Sequence, residues 1–233
     1  MSNICIETNQ LTKRYGNKTA VNELNLTIKK GGIHAIVGSN GAGKSTLFRL
    51  LLGVATPSSG HAQILDQNSQ NLSSDTRGKV GYVNEEHTLP NWMTVEKVVA
   101  MQKHFYSKWN EDTYQKVIGF FDVDLQQKVS GLSRGERAGF NLSMALAQSP
   151  EILILDEPTV GVDVGAKAEI YATIRKLRDT GTAVIVVSSD LEEVMTLADR
   201  ILVFNKGRIT STFDGGEVDN DTLIQAIGGE EVA

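Results

Sequence analysis

The sequence has a single cysteine and no apolar run near the length of about 20 residues that a membrane-spanning helix needs. Cys5 therefore cannot form an internal disulfide, and its place between two isoleucines favours a small strand residue over a nucleophile. Residues 1–10 lack the basic start and the apolar core of a signal peptide. We therefore expect the chain to stay in the cytoplasm.

The sequence also lacks a block of lysines and arginines, internal repeats and low-complexity segments. Its formal net charge of −5 and pI of 5.4 argue against a basic surface that binds nucleic acid, so we expect no nucleic-acid partner. With 233 residues, 40% hydrophobic and 22% charged, it has the composition of an ordinary globular protein with a substantial core. This length suits one large α/β domain or a domain with a sizeable insertion.

The most informative stretch is rich in glycine. It reads Gly-Ser-Asn-Gly-Ala-Gly-Lys-Ser-Thr over 38–46, after an apolar run at 33–37 and before a helix-like segment at 47–52. That context favours a phosphate-binding loop over a chance glycine-rich turn, because the backbone N–H groups and the helix N-terminus together hold phosphate oxygens. In this pattern Lys44 reaches the β- and γ-phosphates and the Ser45 hydroxyl holds Mg²⁺. We expect nucleotide contacts from Gly38, Ser39, Asn40, Gly41, Ala42, Gly43, Lys44, Ser45 and Thr46.

A second pattern places two carboxylates at the end of a buried strand. The wholly apolar run 152–155 is typical of a central parallel strand, and Asp156 and Glu157 follow it directly. Asp156 suits a water-mediated Mg²⁺ contact, and Glu157 suits a base that polarises an attacking water. Carboxylates after a strand are also common on surfaces, but the phosphate loop upstream favours the functional interpretation.

Two segments ahead of the loop, 4–8 and 24–28, alternate apolar and polar residues as half-buried strands do. The residues between them at 15–18 are turn-like, so we expect a small antiparallel layer over the nucleotide. Tyr15 lies in this layer. Its ring can either stack on adenine or pack at a loop edge, and the periodicity does not separate the two.

A helical stretch follows the strand expected at 80–83. We predict helices over 94–105 and 111–121, inserted between sheet strands, with Asn110 as N-cap of the second helix. Ser133 and Glu136 have the spacing of a capping box, which predicts a third helix. The box explains these residues without a ligand, yet a helix N-terminus with a glycine is also an anion site.

The rest of the chain shows apolar patterns of helical or strand period. They predict helices over 166–177 and 191–197, a buried strand over 183–187 and a hairpin over 201–210. The polar segment 67–74 predicts a loop, and we expect the acidic end from Gly215 to be partly loose.

Taken together, these segments resemble the ATP-binding subunit of ABC transporters over nearly the whole chain. A phosphate loop alone indicates only a nucleotide-binding class, whereas this order and spacing of motifs is specific. The resemblance is carried by residues 38–46, 133–135, 155–158, 161–163 and 198–200. Segments 84–86 and 159–163 are most similar to bacterial exporters, including those that confer antibiotic or bacteriocin resistance.

The resemblance implies a P-loop NTPase fold of the ABC ATPase type. This is an α/β fold with a central, mostly parallel sheet, an N-terminal antiparallel β layer and an inserted helical subdomain. In a single domain over 1–233, residues 1–84 and 150–215 would form the nucleotide-binding core, 85–149 the helical insert and 216–233 a C-terminal tail.

The resemblance also implies ATP hydrolysis that drives export through a separate integral membrane subunit. Two subunits, identical or paralogous, sandwich two ATP molecules head to tail on the cytoplasmic face of the membrane. Residues from Glu85 onward, including Leu89, Trp92 and Met93, would meet the membrane subunit, although ordinary core packing explains them equally well.

In that arrangement Tyr15 would stack on adenine and Asp163 would link the two sites across the dimer. The signature residues acting in trans would be Ser133, Arg134, Gly135 and Glu136. The Mg²⁺ ligands would be Ser45, Glu85 and Asp156.

The chain departs from the family pattern in three motifs, at four residues. Glu85 replaces the usual glutamine, and a carboxylate still suits Mg²⁺. Arg134 and Glu136 replace a glycine and the glutamine of the usual signature, which puts an acid near the γ-phosphate.

The third departure is Ser189, which stands where the family usually has a histidine that touches the γ-phosphate. Ser189 and Glu192 also have the spacing of a capping box, which would occupy the serine hydroxyl. Because Glu157 remains, we expect hydrolysis that is present but slow.

Two other functions compete with transport. A soluble ABC-type regulator would use nucleotide as a conformational switch, but the chain lacks the second domain or the coiled-coil insert of such relatives. A P-loop kinase would phosphorylate an acceptor, for which the signature segment gives no reason.

Overall fold

The computed structural model describes residues 3–84, 88–159 and 162–228, and these form an α/β fold with two sheets. This confirms the fold class expected from the sequence. In chain order the strands are β1 (Ile4–Tyr15), β2 (Lys18–Lys29), β3 (Ile33–Val37), β4 (Ser59–Ile64), β5 (Gln67–Asn68), β6 (Val80–Val83), β7 (Ile152–Asp156), β8 (Ala183–Val187), β9 (Arg200–Asn205) and β10 (Arg208–Asp214). The helices are α1 (Lys44–Leu51), α2 (Ser74–Arg77), α3 (Val95–Phe105), α4 (Glu111–Ile118), α5 (Arg134–Ala147), α6 (Val164–Asp179), α7 (Leu191–Leu197) and α8 (Asn220–Gly228).

The smaller sheet is antiparallel and has the order β2-β1-β4-β5. Its first two strands are more than twice as long as predicted, because their pairing continues to the turn, where Tyr15 lies opposite Lys18. Gly16 supplies the positive φ of 56° that this tight turn requires. The buried face of the sheet, including Ile6 and Ile28, packs against Phe48 of α1 in one apolar cluster. The expected antiparallel layer is therefore present.

The larger sheet has the order β10-β9-β3-β8-β7-β6, and among its described strands only the β9–β10 hairpin is antiparallel. Every residue of β3, β7 and β8 is buried, as expected of parallel strands covered on both faces. In the register of these strands, Ile36 and Asp156 are both partners of Val187. The carboxyl ends of the three strands therefore meet at one edge of the sheet.

Helices α3, α4 and α5 lie between β6 and β7 in the chain and share a separate buried cluster that includes Val98, Tyr114 and Phe140. Asn110 caps α4 as predicted, since its side-chain oxygen accepts a 2.9 Å hydrogen bond from the N–H of Thr113. The helix ends at Ile118, three residues before the predicted end, and Gly119 follows it. In the described ranges, no helix is both long and apolar enough to cross a bilayer.

Two segments differ from their predictions. The stretch 67–74, expected to be a loop, contains β5, a 3₁₀ turn at Ser69–Asn71 and the start of α2, which Ser73 caps. The end of the chain, expected to be partly loose, contains α8. This helix is held because Leu223 and Ala226 fall on one helical face and are buried against the core.

A buried histidine makes the stability of this fold depend on pH. His34 on β3 is 7% exposed, and burial, with the positive charge of Arg200 beside it, lowers its pKa below the ordinary value of 6.5. As the pH falls through 6.5, the unfolded chain takes up a proton that the folded chain does not. We expect stability to be lost below that pH, with a slope of up to about 1.4 kcal/mol per pH unit from this group.

Urea titrations at neutral and mildly acidic pH check this expectation. The loss of unfolding free energy on acidification should be smaller in His34→Gln than in the wild type. His61→Gln, at an exposed position, is the control and should lose as much as the wild type. An equal loss in all three proteins would contradict the role of His34.

Candidate nucleotide-binding site

The glycine-rich loop connects β3 to α1, as predicted. Gly43 is the N-cap of α1 with a φ of 116°, a conformation that L side chains rarely adopt. A Cβ at Gly43 would collide with the carbonyl oxygen of Ala20, and one at Gly38 would collide with that of Phe204. Glycine is therefore required at both positions for the loop to pack against its neighbours.

The ammonium of Lys44 is held over the loop by the loop itself. Its Nζ donates to the carbonyl oxygen of Gly38 at 2.6 Å and to that of Ser39 at 3.2 Å. Lys44 is also the first residue of α1, so the ammonium lies near the positive end of that helix. This combination favours an anion at the loop, which is the chemistry predicted from the sequence.

The loop opens into a cleft of about 260 Å³. Tyr15 contributes one wall, with 48% of its surface exposed and the Lys13 ammonium 4.9 Å from its ring centroid. The exposed ring therefore lines the cleft, and its stacking on adenine stays a prediction. The cleft is lined by Tyr15, Lys18, Ala20, Asn40, Gly41, Gly43, Lys44, Ser45, Thr46, Asp156, Glu157 and Val187.

A larger cavity of about 500 Å³ lies elsewhere, between α4, α6 and the segment before β7. Its lining includes Lys30, Glu151 and Lys176 but no residue of the glycine-rich loop or of the acidic pair. The smaller cleft is therefore the candidate site.

The two carboxylates predicted for the site both line the cleft. Asp156 ends β7 and is 6% exposed. Glu157 follows it with a φ of 53°, an uncommon left-handed conformation for a residue other than glycine. The Glu157 N–H donates a 2.9 Å hydrogen bond to the carbonyl oxygen of Val187 at the end of β8. The neighbouring strand thus fixes the backbone of Glu157.

The predicted capping box of Ser189 and Glu192 is wrong. Asp190 is the N-cap of α7, and its side chain accepts hydrogen bonds from the N–H groups of Glu192 at 3.1 Å and Glu193 at 3.2 Å. The Ser189 hydroxyl instead donates a 3.1 Å hydrogen bond to Oε2 of Glu157. Adjacent serine and aspartate residues can both cap a helix, and here the aspartate does so while the serine contacts the catalytic candidate.

The capping box predicted at the start of α5 is confirmed. The Ser133 hydroxyl accepts a hydrogen bond from the Glu136 N–H at 3.2 Å, and Oε2 of Glu136 accepts one from the Ser133 N–H at 2.7 Å. Hydrogen bonding of the Glu136 carboxylate to the Ser133 side chain and to the Ser133 N–H lowers the pKa of the Glu136 carboxyl group. The acid that replaces the family's glutamine is therefore turned back onto its own helix.

Within the described part of the chain, the signature residues lie away from the cleft of the same molecule. None of Ser133, Arg134, Gly135 and Glu136 lines it. Ser133 and Arg134 are exposed, and Gly135 and Glu136 are partly exposed. The signature therefore remains accessible on the surface of a single chain.

The roles predicted for three further groups of residues stay predictions. Asp163 caps α6, and its Oδ1 accepts a 3.0 Å hydrogen bond from the Ala166 N–H. Leu89 and Met93 pack against the cluster of α3–α5, whereas Trp92 is 77% exposed. Glu85, the proposed third Mg²⁺ ligand, lies outside the described residues.

Sequence reasoning missed Lys18 and the Asp190 cap. Lys18 lies across the turn from Tyr15 and lines the cleft. The turn that was identified at 15–18 was a usable signal, since it places the two side chains close together. A buried hydrogen bond between Thr159 and Glu193 was also missed, because the two residues are 34 positions apart and carry no local sequence signal.

The capping box can be tested without nucleotide. Ser133→Ala removes the acceptor for the Glu136 N–H, so we expect the unfolding free energy to fall by about 1 kcal/mol. Ser133→Asp retains an acceptor and should lose much less. Urea titration measures both, and Ser130→Ala at a nearby exposed serine is the control. An unchanged Ser133→Ala variant would contradict the cap.

Comparison with known proteins places these features in a family. The profile described as ABC transporter matches residues 21–160. The chain is 35% identical to a sulfate/thiosulfate import ATP-binding protein of Mesostigma viride, with 85% of this chain and 59% of the relative covered. It is 32% identical to a Nod factor export ATP-binding protein of Sinorhizobium fredii, with 89% and 62% covered. The chain thus spans about three fifths of the length of these two relatives.

A linearmycin-resistance ATP-binding protein of Bacillus subtilis is 30% identical, with 94% of this chain and 74% of the relative covered. Solved structures share the fold. An ATP-binding subunit of an ABC transporter superposes with a TM-score of 0.86 at 20% identity, covering 96% of this chain and 99% of that one. A dimeric ATP-binding cassette with bound ADP and phosphate gives a TM-score of 0.79 at 23% identity, covering 91% and 100%.

Proposed function

Because the chain belongs to the ABC transporter family, we propose that it is an ATP-binding subunit that hydrolyses ATP to drive export through a separate membrane subunit. One observation carries the proposal. The glycine-rich loop and the acidic pair Asp156 and Glu157 converge on one cleft, and the Ser189 hydroxyl donates a hydrogen bond to Glu157.

The cleft fits the parts of a nucleoside triphosphate. The exposed ring of Tyr15 suits stacking on adenine, and the loop with Lys44 suits the β- and γ-phosphates. Ser45 and Asp156 offer hydroxyl and carboxylate oxygens, the hard ligands that Mg²⁺ prefers, and Glu85 would be a third ligand. Bound Mg²⁺ would neutralise phosphate charge, while this chain supplies orientation and positive charge.

Two subunits are needed to complete the site in this proposal. The signature Ser133–Glu136 is accessible and lies outside the cleft of its own chain, so a second copy or a paralogue would present it to the nucleotide. Because the Glu136 carboxylate is engaged by its own helix, its repulsion of the γ-phosphate is reduced. Arg134 adds a positive charge at the same helix end. Asp163 would link the two sites.

Hydrolysis would depend on Glu157 as the base that orients the attacking water. Ser189 holds the Glu157 carboxylate through a hydrogen bond from its hydroxyl. A serine hydroxyl is shorter than the imidazole usual at this position and cannot carry a positive charge, so it does not stabilise the γ-phosphate directly. We therefore propose a site that is active but slow.

The remaining assignments follow from the layout of the chain. We assign 1–84 and 150–215 to the core, 85–149 to a helical insert with its own buried cluster, and 216–233 to a tail that begins before α8. The insert exposes Trp92, which we propose meets the membrane subunit from the cytoplasmic face. Both import and export relatives match the chain, and the resistance relative, which covers 94% of it, favours export.

Glu157→Gln tests the base. The amide keeps the size of the side chain but cannot accept a proton, so we expect ATP turnover to fall by about 10²- to 10⁴-fold while nucleotide affinity is retained. Phosphate release from the purified chain measures turnover. Glu192→Gln, an exposed glutamate nearby, is the matched control and should turn over ATP at the wild-type rate. Wild-type turnover in Glu157→Gln would show that Glu157 is not the base.

Substitutions at Ser189 test why the site is slow. Ser189→Ala removes the hydrogen bond to a charged carboxylate and should lower turnover roughly tenfold. Ser189→His restores a side chain that can reach the γ-phosphate and should raise turnover above the wild type. The explanation fails if Ser189→His is no faster than the wild type in the same phosphate-release assay.

A further inference from the structure

A buried polar contact joins two segments that carry residues of the cleft. The hydroxyl of Thr159, two residues after Glu157, donates a 2.8 Å hydrogen bond to Oε1 of Glu193 on α7. Both side chains are only 2% exposed. Because α7 begins directly after Ser189 and its cap Asp190, this bond ties the segment after Glu157 to the segment that contains Ser189.

A second contact holds the same helix end. The ammonium of Lys167 on α6 lies 2.9 Å from Oδ2 of Asp190, while Oδ1 of Asp190 accepts from the first N–H groups of α7. Thr159 also anchors its own loop, since its carbonyl oxygen accepts a 3.1 Å hydrogen bond from the Val162 N–H. The N-terminus of α7 is therefore fixed against both Thr159 and α6.

The buried carboxylate lies outside the nucleotide cleft. Burying a carboxylate is costly unless hydrogen-bond donors compensate it. Burial and the charge of Glu193 raise the pKa of the Tyr171 hydroxyl, which lies close to both Thr159 and Glu193. None of these three described residues lines the cleft, so they can act on it only through the segments they join.

The geometry of Glu157 depends on those segments. Its left-handed backbone is kept only where the surroundings fix it. Its carboxylate is held by the Ser189 hydroxyl at 3.1 Å, and a shift of Ser189 by about 1 Å would break that bond. Movement of α7 relative to Thr159 would therefore misplace Glu157 without changing the phosphate loop.

We propose that Glu193 is a positioning residue for ATP hydrolysis. Through its hydrogen bond to Thr159, Glu193 keeps the Ser189 hydroxyl within hydrogen-bond distance of the Glu157 carboxylate. The proposal rests on the proposed function of Glu157 as the base. Because Glu193 is not among the described residues that line the cleft, we expect its bond to Thr159 to affect turnover and not nucleotide binding.

Thr159→Val is the direct test, since valine keeps the shape of threonine and removes only the hydroxyl. We expect kcat for ATP to fall about tenfold with KM within about twofold of the wild type. Thr159→Ser restores the donor and should restore kcat. The matched control is Thr182→Val, which removes another buried threonine hydrogen bond, 2.9 Å to the Pro150 carbonyl oxygen, at the opposite end of the sheet.

Thermal unfolding separates positioning from general destabilisation. Thr159→Val and Thr182→Val should lose similar stability, and only Thr159→Val should lose kcat. Glu193→Met removes the acceptor with little change in length and should also lower kcat. In the double variant the two effects should not multiply, because both substitutions remove one interaction.

An unchanged kcat in Thr159→Val would overturn the proposal. So would a loss of kcat that is proportional to the loss of thermal stability in both Thr159→Val and Thr182→Val. The proposal would also be overturned if the fold-loss of kcat in the double variant equalled the product of the fold-losses in Thr159→Val and Glu193→Met. Glu157→Gln, measured alongside, separates this failure from that of the proposed function. Full turnover in Glu157→Gln contradicts the base, whereas full turnover in Thr159→Val contradicts the positioning residue whatever Glu157→Gln does.

Discussion

The register of three buried parallel strands is the constraint on which the site depends. β3 and β7 lie on either side of β8, and residues at the ends of both pair with Val187. Parallel strands deliver their carboxyl ends to the same edge, so segments more than 100 residues apart in the chain become neighbours there. The glycine-rich loop, the acidic pair and the serine after β8 are adjacent for this reason. A shift of one residue in this register would turn each side chain to the opposite face of the sheet.

Two features at this edge of the sheet are unfavourable in free energy, the glycines of the loop and the left-handed backbone of Glu157. The loop needs glycine where Ala20 and Phe204 approach it closely, and glycine gives up chain entropy on folding. Glu157 takes a left-handed backbone, which a non-glycine residue adopts at a cost of about 1–3 kcal/mol. The carbonyl of Val187 and the hydroxyl of Ser189 hold it there. Rigid, buried strands thus support the strained residue to which we assign the chemistry.

The parts of the fold that could be predicted are those governed by local pattern. The apolar run 152–155 indicated a buried strand, and Asn110 and Ser133 indicated helix starts, because a cap involves only residues within one turn. The choice between Ser189 and Asp190 as cap could not be predicted, since it depends on a carboxylate 32 residues earlier in the chain. The contact between Thr159 and Glu193 and the burial of Leu223 in α8 likewise depend on packing between distant segments.

A crystal structure of the Glu157→Gln chain with MgATP would test the account most directly. We expect that structure to show the γ-phosphate next to Lys44 and Ser45 and the adenine against Tyr15. Ser133 and Gly135 of a second chain should contact the same nucleotide. Nucleotide in the larger cavity between α4 and α6, or a site completed by the signature of the same chain, would contradict the account.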